Sequence, residues 1–190
     1  MTTTQNGTQL AAGLTSGTYT VDPSHSRIGF VARHAMVTKV RGSFNDFEAS
    51  AVVDTEDLTR SSAQVTIKVD SIDTRNEQRD GHLRSNDFLD IATYPEITFV
   101  STAVNPIADD VVQVTGDLTI KGVSRPVTID FTYEGSATDP FGNERAGFEG
   151  SVVINRKDWG ITWNAALETG GVLVSDKITL EFEVSAIRNA

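Results

Sequence analysis

Three histidines, His25, His34 and His82, are the residues of this sequence best suited to chemistry. A metal site needs three or four such groups to converge within about 2.1 Å of one ion. His25 and His34 lie nine positions apart around one predicted strand, and the chain has no His-x-x-x-His or His-x-Glu spacing. We therefore predict no metal and no other cofactor. We expect His25 and His34 to be hydrogen-bonded structural residues, with His25 satisfying backbone groups at the corner after Asp22.

Nucleophilic catalysis would need a hydroxyl, a base and a carboxylate in one chain of hydrogen bonds. Asp22, Ser24, His25 and Ser26 supply those side-chain types within a single turn. Adjacent residues in a turn rarely point at one another in the required way, and the strained elbow that presents a catalytic serine is missing. We predict no catalytic residue in this chain.

A group of charged residues, Arg79, Asp80, His82 and Arg84, has two interpretations. In the first, Asp80 and the arginines fix a helical insert to the rest of the fold through charge-assisted hydrogen bonds. In the second, Arg79, His82 or Arg84 meets the polar head of a ligand. Both interpretations stay open at this point.

Trp159 and Trp163 flank Gly160 in a segment with few strand signals. Such large side chains either belong to the core at one end of the fold or line a ligand cavity there. The residues alone do not decide between these two roles.

The composition excludes several classes of function. The 190 residues suffice for one domain and not for two independent cores. The chain carries 16 basic and 26 acidic residues, a net charge of −10, which argues against binding nucleic acid and against docking on anionic lipid surfaces. No apolar run approaches about 18 residues, so we expect no stable membrane insertion. The absence of cysteine excludes thiol catalysis and disulfides.

Residues 1–16 are small and polar without periodicity, which predicts a flexible N-terminal tail before a single domain at 17–190. The beginning of the chain lacks the basic and apolar regions of a secretory signal. We therefore expect a cytoplasmic protein.

From Gly17 onwards, apolar and polar residues alternate, which is typical of strands with one buried face. About eight consecutive strands joined by short turns predict an all-β antiparallel sheet that closes into a barrel, because there are too few helical residues to cover an open sheet. Phe44 and Phe47 are three positions apart and share a face only if a bulge separates them. Small side chains at predicted inward positions suggest a cavity. They are Ala63, Ala103, Gly116, Gly150 and Ala186.

Only residues 73–94 break the strand pattern. Asn76 is a suitable start for one short helix, and Ser85 is a suitable cap for a second that carries Phe88, Leu89 and Ile91 on its apolar side. Helices shorter than about 12 residues are marginal alone, so this side must be buried. We expect Phe88 and Leu89 to cover the open end of the barrel.

Several blocks in order along the chain resemble the bacterial YceI-like proteins, a family of lipocalin-like barrels that bind polyisoprenoid lipids. The resemblance covers about residues 17–187. It rests on residues 19–30 (YTVDPSHSRIGF), 42–47 (GSFNDF), 71–74 (SIDT), 79–90 (RDGHLRSNDFLD), 116–123 (GDLTIKGV), 145–148 (RAGF) and 154–160 (INRKDWG). It implies an eight-stranded antiparallel lipocalin-like barrel with a short helical insert above an elongated apolar tunnel.

The implied ligand is a long-chain isoprenoid lipid, such as a polyprenyl phosphate or an isoprenoid quinone, and the family also implies a possible homodimer. Arg79, His82 and Arg84 are the head-group candidates. The candidate lining residues of the tunnel are Phe30, Phe44, Phe47, Ile67, Phe88, Leu89, Phe99, Leu118, Phe131, Phe148, Trp163 and Phe182.

Three functions remain in competition at this stage. The first is non-catalytic binding, transport or storage of the isoprenoid, for which burying hydrocarbon gives about 0.8 kcal/mol per CH₂ without a polar site. The second is an enzyme that acts on such a lipid through His25, His34 or His82. In the third, the outer surface of the barrel is the functional part. A continuous apolar tunnel favours the first, converging polar groups inside it the second, and a filled interior the third.

Overall fold

A computed structural model describes residues 13–189, which form a β-barrel with one α-helix. The remaining residues, most of the predicted tail among them, lie outside the described part. The strand segments are β1 (Gly17–Val21), β2 (Arg27–His34), β3 (Thr38–Phe44), β4 (Phe47–Val53), β5 (Ser62–Lys68), β6 (Ile72–Asp73), β7 (Glu96–Pro106), β8 (Val111–Ile120), β9 (Val123–Thr138), β10 (Glu144–Asn155) and β11 (Lys177–Arg188). The helix α1 spans Glu77–Arg84, and short 3₁₀ turns cover Pro23–His25, Leu58–Arg60, Val69–Ser71 and Arg156–Trp159.

The eleven segments of the described chain make eight long antiparallel strands. β1 and β2 are two halves of one strand, as are β3 and β4, and β5 and β6, because β1 pairs with β4 while β2 pairs with β3, and β6 pairs with β3 while β5 pairs with β4. The ladder continues through β7, β8, β9 and β10 to β11, and β11 also pairs with β1. The sheet is therefore closed, as the sequence predicted.

Phe44 and Phe47 both line the interior, because the strand is interrupted between them. Asn45 and Asp46 separate β3 from β4. The Asn45 N–H donates to the carbonyl of Ser71 at 3.2 Å, and the Asp46 carbonyl accepts the N–H of Lys68 at 3.0 Å. The interruption shifts the alternation by one residue, which returns Phe47 to the face that holds Phe44.

The period of two is confirmed in β8, where Val112, Val114, Gly116, Leu118 and Ile120 are all buried. One predicted inward residue, Ala103, is exposed and Val104 is buried in its place. A bulge between Ser101 and Ala103 shifts the register of β7 against β8. One extra residue exchanges the two faces of a strand, so the alternation read from Ile97 onwards does not continue past Ser101.

The helical insert begins as predicted, because the Asn76 side chain accepts the N–H of Arg79 at 2.9 Å. The second predicted helix, from Ser85, is wrong: this segment is a series of turns. Its N–H groups turn back to the end of α1, where Leu89 donates to the carbonyl of Leu83 at 3.0 Å. The segment thus satisfies carbonyls that a helix end leaves free and does not propagate a helix of its own. No helix in the described residues is long and apolar enough to cross a membrane.

Residues 13–16, the described part of the predicted tail, lie against the barrel. Leu14 packs beside the buried cluster that includes Tyr19, Val112 and Tyr133, and the Tyr19 hydroxyl donates to the Thr15 carbonyl at 2.8 Å. These contacts close the end of the barrel opposite the insert.

Candidate functional site

The barrel encloses an elongated cavity of about 350 Å³. Its lining extends from Leu14 and Leu58, near the connection of β4 to β5, to Leu83 and Phe88 of the insert at the opposite end. All eight long strands contribute to the lining, and most of the side chains are apolar. A concave, enclosed and apolar space of this kind suits a hydrocarbon ligand. The interior is not filled, which removes the main argument for a barrel whose outer surface alone is functional.

Eleven of the twelve side chains predicted to line a tunnel lie on this cavity. Trp163 is the exception. It is half-buried behind the insert and packs on His82 and Phe88. Trp159, whose role was open, is 3% exposed, lines the cavity and donates from Nε1 to the Leu118 carbonyl at 2.9 Å. Trp159 is therefore both a core residue and a wall residue.

One wall of the cavity is built from small side chains. Ala49, Ala51 and Ala63 line it on β4 and β5, and Ala51 is directly opposite Ala63 in the ladder. The cavity lining also includes Ser50 and Val52 of the same strand, which alternate with these alanines. With side chains this short, the space extends close to the backbone, so this wall gives the cavity its width. Of the three, only Ala63 is among the small residues predicted to point inwards.

Three phenylalanine rings keep to the wall because each lies over a glycine. An added Cβ would be 2.3, 2.5 and 2.8 Å from the nearest ring atom in the three cases, closer than real Cβ contacts allow. Glycine is the residue that permits such an approach of an aromatic ring to the backbone. The pairs are Phe30 with Gly42, Phe99 with Gly116 and Phe131 with Gly150.

The insert closes one end of the cavity with Leu83, Phe88 and Leu89. Phe88 is 7% exposed, and its ring centroid is 5.0 Å from that of His82 and 5.3 Å from that of Trp163. Trp163 comes from the connection between β10 and β11, so two distant segments meet at this end. We call the aromatic group of His82, Phe88 and Trp163 the lid cluster.

Of the three head-group candidates, His82 belongs to the lid cluster, whereas Arg79 and Arg84 lie on the same helix, and none of the three lines the cavity. Arg79 donates to the hydroxyl and carbonyl of Thr74, and Nε2 of His82 is 2.9 Å from a carboxylate oxygen of Asp87. Arg84 donates through Nη2 to the carbonyls of Asp70 and Ile72, while its buried Nε has no hydrogen-bond partner in the described residues. Arg84 is thus the one candidate with a buried donor that lacks a hydrogen-bond partner in the described residues.

Arg156 is a buried charged residue that was not predicted from the sequence as a site residue. It is 4% exposed, borders the cavity and donates to the carbonyls of Ile161, Trp163 and Ser175, each at 2.9 Å. Burial lowers its pKa, and Asp176 at 3.8 Å opposes that shift. Its role here is to hold the segment from Ile161 to Ser175 against the barrel. The sequence feature that could have identified Arg156 is its place in residues 154–160 (INRKDWG), one of the blocks that resemble the YceI-like family.

The polar turn before β2 is not a catalytic triad. Ser24 Oγ and Asp22 Oδ2 both contact the same ring nitrogen of His25, Nδ1, at 3.0 and 2.8 Å. A triad needs the base between nucleophile and carboxylate, with one contact to each nitrogen. The prediction that His25 satisfies buried backbone groups is wrong, because its side chain is 66% exposed and bonds to the side chains of its own turn.

His34 lies exposed at the end of β2, and the three histidines do not converge. In residues 13–189, no group of three His, Cys, Asp or Glu side chains is arranged to hold a metal ion.

Arg145 joins two carboxylates that belong to different turns. Its Nη1 donates to Asp22 at 2.9 Å and its Nε donates to Asp139 at 2.8 Å. The Arg145 hydrogen bond holds the pKa of Asp139 far below its ordinary value. The pKa of Asp22 is lowered as far by the hydroxyl of Ser24 first, and then by His25 and Arg145. This network ties the corner between β1 and β2 to the turn between β9 and β10.

Comparison with known proteins agrees with this architecture. A family model for the YceI-like domain matches residues 19–186. A UPF0312 protein of Staphylococcus epidermidis is 43% identical over 169 residues, which cover 88% of this chain and 95% of the relative.

Two solved structures share the fold. BcnA of Burkholderia cenocepacia aligns with a TM-score of 0.77 at 29% identity, over 87% of this chain and 98% of that one. A polyisoprenoid binding domain from Saccharophagus degradans aligns with a TM-score of 0.69 at 16% identity, over 90% of this chain and 98% of that one. At 16% identity the second likeness concerns the fold alone.

Proposed function

This chain belongs to the YceI-like family, and we propose that it binds, carries or stores a long-chain isoprenoid lipid in its cavity without acting on it chemically. The observation that carries the proposal is the apolar cavity that reaches from one end of the barrel to the insert at the other. The fold is shared with a polyisoprenoid binding domain from Saccharophagus degradans. A polyprenyl phosphate and an isoprenoid quinone are the ligands with the right hydrocarbon chemistry.

The polar groups on the cavity wall favour a hydrocarbon because they are already bonded to protein. Ser26 Oγ donates to the Ser185 carbonyl, the Tyr19 hydroxyl to the Thr15 carbonyl, and the Arg156 guanidinium to three carbonyls. A polar ligand would have to replace these bonds, which costs free energy. Each buried five-carbon unit of an isoprenoid contributes about 4 kcal/mol before association costs.

The width of the cavity supports a methyl-branched chain. Ala51 and Ala63 leave room on one wall where two larger side chains would meet. The insert closes the far end with Phe88 and Leu89, so the isoprenoid would lie along the barrel with its head-group end under these two residues. We propose that all eleven predicted residues on the cavity contact the isoprenoid.

For a charged head group we propose Arg84 ahead of Arg79 and His82. Its buried Nε is unpaired, and its nearest carboxylate oxygen, on Asp70, lies at 3.5 Å. A phosphate would satisfy this donor with a short, charge-assisted bond. Arg84→Met should therefore weaken the binding of a polyprenyl phosphate and leave the binding of the neutral polyprenol unchanged. Equal losses for both lipids would refute the head-group role.

The alternative function, an enzyme that uses the histidines, has little support in the geometry. His25 and His34 are exposed on the outside, and His82 is bonded to Asp87 beyond the cavity wall. A general base must lie within hydrogen-bond reach of its substrate. An unchanged isoprenoid recovered after long incubation with the protein is the result expected of a carrier.

The decisive experiment is mass spectrometry of organic extracts from the purified protein. We expect an isoprenoid in extracts of the parent and a strongly reduced amount in Ala51→Phe, whose ring would fill the wide part of the cavity. Val153→Phe is the matched control, because Val153 is 58% exposed on β10 and does not line the cavity. An Ala51→Phe protein that is folded and equally loaded, or a parent that yields no isoprenoid, would overturn the proposal.

The homodimer and the cytoplasmic location stay predictions. Light scattering at micromolar concentration tests the first, and a monomer there would count against it. Fractionation of cells that express the natural gene tests the cytoplasmic location.

A further inference from the structure

The hairpin between β2 and β3 ends in a strained turn. Ala35 and Met36 occupy its two central positions with φ angles of 52° and 63°, and the Val37 N–H donates to the His34 carbonyl at 3.1 Å. This is the two-residue turn that normally takes Asn-Gly, because both central residues are left-handed. Alanine and methionine adopt that backbone at a cost. A strained backbone that is retained is a reason to ask what the turn presents.

The turn presents apolar side chains to solvent. Met36 is 63% exposed and Val37 is 74% exposed. Val172, in the connection between β10 and β11, is 41% exposed. It lies beside them, because the sulfur of Met36 is next to the adjacent Gly171. We call Met36, Val37 and Val172 the apolar tip.

The strands next to the apolar tip carry a positive net charge, opposite in sign to that of the whole chain. Residues 23–45 hold four arginines and lysines and no aspartate or glutamate, in a chain of net charge −10. Arg33, Lys39 and Arg41 are exposed. Arg41 shares Glu181 of β11 with another arginine, whereas Arg33 and Lys39 have no acidic partner within 4 Å in the described part of the chain. Beside the apolar tip, the described residues thus place two cations without an acidic partner, although Arg33 Nη1 donates to the Val37 carbonyl at 3.4 Å.

The apolar tip is at the lid end of the cavity. His34 is bridged to Val174, and both Val174 and Ala32, two residues before the turn, line the cavity. The Ala35 N–H also donates to the Leu173 carbonyl at 2.8 Å. A surface that bound the tip would thus lie next to the end of the cavity that the insert closes.

We propose that the apolar tip docks this protein on an anionic lipid bilayer. Met36 and Val37 enter the interface between head groups and acyl chains, and Arg33 and Lys39 contact lipid phosphates. A protein partner fits less well, because three side chains offer far less than the roughly 1,000 Å² that a specific protein interface needs, while a bilayer requires no matching shape. The whole-chain charge, which argued against such docking, is reversed in residues 23–45, which carry the tip, although the connection that supplies Val172 also holds Glu168 and Asp176.

The test is co-sedimentation of the full chain with vesicles of phosphatidylglycerol and phosphatidylcholine, compared with vesicles of phosphatidylcholine alone. We expect binding to the anionic vesicles that falls as salt is raised. Arg33→Gln with Lys39→Gln should weaken it by about fivefold for each charge.

The double substitution Ala35→Asn with Met36→Gly separates docking from folding. It installs the preferred turn residues, so the melting temperature should stay equal or rise, while vesicle binding should fall at least tenfold. Phe141→Ser is the matched control. Phe141 is 90% exposed in the turn between β9 and β10, at the opposite end of the barrel and beside Asp139. Its removal should leave vesicle binding unchanged.

Three results would overturn the proposal. They are equal binding of the parent to both kinds of vesicle, parental binding by the Asn-Gly variant, and binding of the parent to soluble polyglutamate without binding to vesicles, which would assign the cations to an acidic protein. The docking proposal is independent of the lipid content of the cavity. A failure here would leave the extract measurements of the proposed function as they are, and a failure there would leave vesicle binding as it is.

Discussion

The imidazole of His82 meets the indole of Trp163 edge to face, with ring centroids 4.6 Å apart. His82 belongs to α1 and Trp163 to the connection between β10 and β11, so this contact joins two segments that are distant in sequence. Arg156 fixes the Trp163 carbonyl from below at 2.9 Å. This end of the cavity is therefore closed by side-chain contacts and not by a continuous sheet.

We expect the substitution Trp163→Ala to increase the rate at which this end of the cavity opens. Its contacts with His82 and Phe88 contribute about 0.5–1.5 kcal/mol each. We expect a loss of about 1–3 kcal/mol in the free energy of unfolding and a release of bound fluorescent polyprenol that is at least several-fold faster. Stopped-flow fluorescence measures the release, with Phe141→Ala as the control. An unchanged release rate in a folded variant would show that Trp163 does not hold the lid.

Phe88→Ala should affect both stability and retention, because Phe88 is buried and also lines the cavity. We expect a loss of about 3 kcal/mol or more in the free energy of unfolding. Leu89→Ala, at a half-buried position on the same wall, should cost less stability and still reduce the lipid recovered. Denaturant unfolding and extract analysis measure the two effects. Parental values of both quantities in both variants would contradict the assignment of this wall.

Gly42→Ala should narrow the cavity without touching the ligand directly. An added Cβ would be 2.3 Å from the Phe30 ring, which must then rotate towards the interior. Overpacking of this kind costs about 1–3 kcal/mol. Lipid content should fall in Gly42→Ala and recover in the double variant Gly42→Ala with Phe30→Leu. If Gly42→Ala is folded and fully loaded, the ring does not control the width.

Acid should weaken the barrel through Asp139 and Arg145. The folded pKa of Asp139 is depressed by Arg145, so the unfolded chain binds more protons than the folded one below about pH 4. The stabilisation is therefore complete above that pH and is lost as pH falls towards the folded pKa. Melting temperatures of the parent and of Arg145→Met should differ at pH 7 and converge towards pH 2. A gap that stays constant over this range would rule the network out as the cause.

The strands and their inner faces follow from the sequence because period-two alternation leaves little freedom. In β8 every second residue from Val112 to Ile120 is buried, and Phe131 and Phe182 meet inside the barrel with ring centroids 5.9 Å apart. The cavity wall was accessible to sequence reasoning for the same reason. A side chain on the inner face of a closed sheet has nowhere else to point.

Features that depend on a single backbone irregularity or on distant contacts were not accessible. A bulge between Ser101 and Ala103 moves Ala103 to the outer face, and no residue type near it predicts a bulge. The segment after Ser85 forms turns because it caps α1, a tertiary effect that outweighs its own helix signals. Arg156 became recognisable as a buried residue only when the carbonyls of a remote connection surrounded it.

The pairing of β1 with β11 has a consequence for how the chain acquires its shape. Tyr19 lies opposite Arg188, and the closing ladder contains three residue pairs between β11 and β1 and five between β11 and β2, all of which join the two ends of the described chain. Contacts of such high sequence separation form slowly and late. During synthesis the closing ladder cannot form until β11 has been made, so the sheet stays open until its last strand pairs. A hydrocarbon present at that moment would be enclosed by folding itself, before any opening of the lid is needed.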